Sequence, residues 1–195
     1  MPSRLSGLIF ALILSLTPAH AASDASSAET YTKWHDVCLG GDTDEIDTQI
    51  KKFEAQLAKD PNDHLAEAFL GSACVLRAKA GSWPPSKLKF LKLGKQHLDA
   101  AVAAAPDDAR VRMVRAIAYY KVPERFGVRP TSLKDFEILI PIAKNPKGCL
   151  TTNEQQAILY HGHLAYHEDG RPGAAELKTS CHKLAPDSNY GKLTR

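Results

Sequence analysis

The sequence predicts an all-α chain of antiparallel helical hairpins. Three observations carry this. Long Ala- and Leu-rich stretches repeat their apolar residues at the helical period, and no run of strand length alternates apolar with polar. Three helical stretches stop at closely similar phrases: Leu57 to Asp63 (LAKDPND), Ala103 to Asp108 (AAAPDD) and Leu184 to Ser188 (LAPDS). In each, a Pro cannot continue the hydrogen-bond ladder, and the Asp or Asn after it can cap the next helix.

The elements follow in order. Arg4 and the apolar run Leu5–Leu16, ending at Ala19-His20-Ala21, have the layout of a signal peptide, with cleavage expected after Ala21. The apolar run is shorter than the roughly 20 residues of a comfortable span. No later segment is long and apolar enough to cross a membrane, so no insertion is expected after cleavage. Residues 22–29 are small and polar and read as a flexible lead-in. Helices are then expected at 29–39 and 43–59, 64–80 and 87–104, 108–121 and 131–144, and 152–168 and 172–185. These are eight helices in four hairpins over residues 30–188, with 189–195 as a tail. A hairpin of this kind has an apolar face it cannot bury alone, so stacking must bury it.

The chain of 195 residues carries 25 Lys and Arg against 22 Asp and Glu, a net charge of +3. Loss of the leader removes Arg4 and no acid. So weak a surplus argues against general nucleic-acid binding. The expected location is periplasmic or secreted. Four cysteines, Cys38, Cys74, Cys149 and Cys181, are an even set in an exported chain, which favours disulfides. None lies in a C-x-x-C pair.

The residues that punctuate the hairpins resemble the tetratricopeptide repeat family. Gly162, Ala174 and Pro186 match its small and closing positions in the last hairpin. Gly71, Gly94, Ala101 and Pro106 do so in the second, and Trp34, Phe53 and Pro61 in the first. The insertion around Trp83-Pro84-Pro85, the long connection 122–130, Pro141 within a helix and Lys178 at an apolar position depart from that pattern. The resemblance implies a short solenoid whose first helices line a concave groove, and a scaffold that binds a protein or peptide. The groove positions it implies are His35, Ser72, Arg110, Met113, Tyr120, Gln156, His163 and Tyr166. Arg110, Arg112 and Arg115 would favour an acidic partner. Aligning the closing prolines pairs Cys38 with Cys74 on adjacent first helices, leaving Cys149 with Cys181.

Chemistry beyond binding has few candidates. His163 and His167 share a helix face at i, i+4, but no Asp, Glu or Cys completes a metal set at convincing spacing. A Cys- and His-based metal- or redox-responsive protein is the alternative reading. No nucleophile elbow or phosphate loop is present, so no enzyme and no cofactor is expected. Trp83 is expected to pack on the array, because a large aromatic is costly to leave in water.

Overall fold

The computed structural model describes residues 19–195, with side-chain environments from Ser27 onward. The expected signal segment Leu5–Leu16 lies outside the described residues. Among these, the chain is all-helical and has no strand. The helices are α1 Ala19–Cys38, α2 Thr43–Lys59, α3 His64–Ala80, α4 Pro84–Ala104, α5 Ala109–Lys121, α6 Arg129–Ala143, α7 Thr152–Glu168, α8 Ala174–Leu184 and α9 Asn189–Leu193, with a short 3-10 turn η1 at Glu124–Phe126. Residues 22–29, read as a lead-in, belong to α1. Residues 189–193, read as tail, form α9.

The starts are set by local chemistry. Asp42 accepts from the amides of Asp44 and Glu45, both at 2.9 Å. Asp63 accepts from Ala66 at 2.9 Å, and Asp108 from Arg110 at 2.8 Å. Each satisfies an amide that the helix itself leaves without a partner. Thr151 and Glu154 cap α7 reciprocally. Pro84 opens α4, where its missing N–H costs nothing. This lengthens α4 by three residues beyond the expected start.

Helices touch in a regular order. Odd-numbered neighbours meet, α1 with α3, α3 with α5 and α5 with α7, and α2, α4 and α6 each lie between two of them. α9 returns onto α7 and α8. The closest joint is α3 on α4. A Cβ on Gly71 would come within 2.9 Å of the Gly94 carbonyl oxygen, and one on Gly94 within 2.7 Å of the Gly71 oxygen. Only glycine allows this approach.

The apolar interior forms two clusters. The first joins α1–α5 around Tyr31, Phe53 and Phe69, where the Phe53 and Phe69 rings stack at 6.1 Å. The second joins α5–α8 around Phe136, Leu139, Ile158 and Leu177. Polar groups also cross this second region. Asp135 is 1 % exposed and binds Arg112 at 2.8 Å and Arg115 at 2.8 and 2.9 Å. Ser132 donates to the Ala116 carbonyl at 2.7 Å.

Two expectations are corrected. Trp83 does not pack on the array. It is 67 % exposed, because Pro84 begins α4 directly and leaves the ring beyond the helix end. The cysteines are not bridged: Cys38, Cys74, Cys149 and Cys181 are all free. Cys149 stands exposed in the loop before α7, whereas Cys181 is buried against the Gln156 carbonyl, so the second pair differs in depth. Cys38 turns its sulfur toward the Trp34 carbonyl of its own helix. Burial pushes the Cys38 and Cys74 thiols up to about 11 and about 12, which keeps both protonated and inert.

Candidate functional site

Four helices that are not consecutive in the chain share one concavity of about 600 Å³. Each contributes a stripe at helical spacing. α1 gives Thr32, His35 and Asp36, and Leu39 follows in the turn after it. α3 gives Leu65, Phe69, Ser72 and Leu76. α5 gives Arg110, Met113, Ile117 and Lys121. α7 gives Asn153, Ala157 and His161. Such i, i+3/i+4, i+7 stripes are what a helix presents along one face. α9 adds Asn189 and Tyr190 from the far end of the chain.

The floor is apolar and the polar groups sit at defined places on it. Met113 and Ile117 are half-buried, and Phe69 is 7 % exposed. His35 Nε2 and Ser72 Oγ share a hydrogen bond of 2.8 Å. Desolvation pushes the His35 imidazole down to about 4. His161 is 7 % exposed, and its Nδ1 is a buried atom with no hydrogen-bond partner among the described residues. Burial, helped by the Lys121 charge, pushes it down to about 3. Both rings are therefore neutral near pH 7. Tyr190 packs on Tyr160 at 5.3 Å and on His161 at 6.0 Å. Burial, with Asp36 adding to it, raises the Tyr190 phenol, so the hydroxyl keeps its proton.

Charge in the concavity is mixed. Arg110 binds Glu154 at 2.7 Å and the Cys149 carbonyl at 2.7 Å, so its guanidinium is occupied. Arg112 and Arg115 turn away to Asp135, and Arg115 also reaches Asp99 at 3.3 Å. The cluster expected to favour an acidic partner is thus neutralised inside the protein.

The expected site residues divide. His35, Ser72, Arg110 and Met113 line the concavity. Tyr120 does not: it is 8 % exposed and donates to Glu168 at 2.6 Å. Gln156 is 1 % exposed and donates to the Cys181 and Ala185 carbonyls at 2.9 and 3.0 Å, so it fastens α7 to α8. His163 Nδ1 bonds the Ala174 carbonyl at 2.9 Å, and Tyr166 lies under Arg171 at 5.5 Å, both toward α8. On α7 the expected face was turned by about one position, or roughly 100°. His161, outside the expected set, faces the concavity. Ala157 and Ala118, small residues that leave the space open, carried no signal of their own.

The alternative metal reading gains little here. The His163 and His167 rings lie 6.1 Å apart, and no group of three His, Cys, Asp or Glu able to hold an ion occurs among the described residues. No family model, curated protein or solved structure matches the chain.

Proposed function

We propose that the chain is an exported, tetratricopeptide-like scaffold that holds an apolar-faced segment of another polypeptide in the concavity between α1, α3, α5 and α7. One observation carries the reading: four separate helices turn matching stripes onto one shared hollow, and the stripes remain open. A core would fill that space with the protein's own side chains. Half-buried Met113 and Ile117 offer adaptable apolar surface at its centre. The neutral ring of His161 lines the hollow beside Tyr190, and its buried Nδ1 has no partner among the described residues. The successive contacts of odd-numbered helices, with α2, α4 and α6 between them, support a solenoid-like row over a closed bundle.

Arg110 and Glu154 are paired across the rim. The concavity therefore suits a segment recognised by shape and apolar contact more than by strong charge. This replaces the acidic partner expected from the arginine run.

A photo-reactive residue at Met113 or Ile117, compared with one at Glu54 on the outer α2, tests the proposal in the native compartment. A crosslinked polypeptide recovered from the inner positions, and lost when Ile117→Glu is introduced beside Met113, supports it. Equal yields from Glu54, or none from the concavity, would refute it.

A further inference from the structure

A second surface lies at the end of the molecule where α3 finishes and α4 begins. From Ala68 to Leu98 the chain carries six Lys and Arg residues and no Asp or Glu. Two are engaged: Arg77 binds Asp47 at 2.7 Å, and Lys95 binds Asp99 at 2.5 Å. Lys79, Lys87, Lys89 and Lys92 have no carboxylate within ion-pair distance among the described residues. The unpaired lysines therefore come from two helices, Lys79 from the last turn of α3 and Lys87, Lys89 and Lys92 from the first half of α4.

The same end holds apolar side chains in water. Trp83 is 67 % exposed, Leu88 58 % and Phe126 37 %. Leu88 and Phe126 meet at an apolar hollow of about 250 Å³ between α4 and η1, with Lys92 and Lys95 also lining it. Pro84 and Pro85 follow Trp83 directly and restrict the backbone that carries it. A tryptophan held in water beside unpaired lysines is the chemistry of a bilayer interface. Indole favours the headgroup level, and cationic side chains favour anionic lipid.

We infer that this end, formed by the first half of α4 with the close of α3 and η1, is a docking surface for an anionic lipid bilayer. The protein rests on that bilayer without crossing it. An acidic protein fits less well. Specific carboxylate recognition favours the planar fork of Arg, whereas the four unpaired cations named here are all Lys, point charges on flexible stems. Such a set matches a diffuse negative surface. No described helix is long and apolar enough to span a membrane. The surface is separate from the concavity, so the two proposals stand or fall independently.

Vesicle flotation of the full chain tests this, using phosphatidylcholine alone or in equal parts with phosphatidylglycerol. The expected result is flotation with the anionic vesicles only, weakened by salt, with a blue-shifted tryptophan emission. Lys87→Glu, Lys89→Glu and Lys92→Glu together should weaken partitioning by at least about tenfold. Trp83→Phe should abolish the emission shift while Trp34 remains. Ile117→Glu should leave binding unchanged. Lys87, Lys89, Lys92 and Trp83 stand in water or at its edge, and matching thermal melts verify that their variants and Ile117→Glu fold. Equal flotation with neutral vesicles, or full binding by the triple variant, would assign binding to the apolar run Leu5–Leu16 and overturn the proposal. Binding to poly-glutamate but to neither vesicle would overturn it in favour of an acidic protein.

Discussion

Where α3 crosses α4 the joint is bare backbone, with Gly71 and Gly94 facing one another and no polar side chain between them. Where α5 meets α6, two guanidinium groups close on one carboxylate that is almost wholly removed from water. The first joint depends on the absence of atoms and the second on the presence of charge. They should fail differently. A close-packed apolar crossing is upset by any added volume. A buried ion set is upset by removal of one member, because the others stay behind unpaired.

The largest expected effect is at Asp135. Asp135→Ala leaves Arg112 without a carboxylate and Arg115 with only its longer contact to Asp99, and should cost about 3–5 kcal/mol in urea unfolding. Replacing all three residues by apolar ones of similar volume should recover most of that. A loss below about 1 kcal/mol for the single variant would mean that water reaches the arginines and that the contrast between the joints is false.

Next is the glycine joint. Gly94→Ala should destabilise by about 1–3 kcal/mol, because the new methyl meets the Gly71 carbonyl. Gly162→Ala is the control. Its Cβ would lie 3.5 Å from Phe136 and Ile140, an ordinary contact. That substitution should be neutral or stabilise by up to about 1 kcal/mol, since helical alanine is favoured over glycine. If the two variants melted together, the close crossing would be refuted.

Acid sharpens the comparison, because each cluster borders one depressed histidine. His161 is held neutral to about pH 3 and His35 to about pH 4, against about 6.5 when unfolded. Below pH 6.5 the unfolded chain binds protons that the folded chain refuses, so stability falls as pH falls through that window. The slope approaches about 1.4 kcal/mol per pH unit for each ring. Thermal melts from pH 7 to 5 should lose stability, and His161→Gln should flatten the curve. An unchanged slope in that variant would show that the ring is hydrated.

The smallest effect concerns the thiols. Cys149 should react quickly with a thiol reagent in the native state, while Cys38, Cys74 and Cys181 react only on unfolding. Cys149→Ser should change stability by less than about 0.5 kcal/mol. Two or more fast thiols would mean that the buried ones are reached by solvent.

The same two joints explain what could be read from the chain alone. Helix positions were legible because their limits are local: Pro61 and Pro106 stop one helix, and Asp63 and Asp108 begin the next within two residues. Gly71 and Gly94 of the α3–α4 crossing were legible only as positions that resemble the tetratricopeptide pattern, and their mutual contact joins two different helices. The arginine run was misread because its partner is on another helix, 20 or more residues away. One signal was present. Asp135 interrupts the stripe Ser132, Leu133, Phe136, Leu139 and Ile140, and a carboxylate on a buried face requires a cation. The facing residues of α7 were missed because rotation about a helix axis is set by packing against α5, α6, α8 and α9, and periodicity alone leaves several faces open where Tyr, His and Ala recur.

The end of the chain has a practical consequence. Thr194 is 4 % exposed and its hydroxyl reaches the Tyr190 carbonyl at 2.8 Å, while His182 bonds the Gly191 carbonyl at 2.8 Å. A Cβ on Gly191 would collide with the Ala185 carbonyl. Any purification handle joined at Arg195 thus begins two residues beyond an anchored threonine that caps α9, the short helix that supplies Tyr190 to the hollow. Trimming the chain back past Asn189 removes Asn189 and Tyr190 from the lining of the hollow.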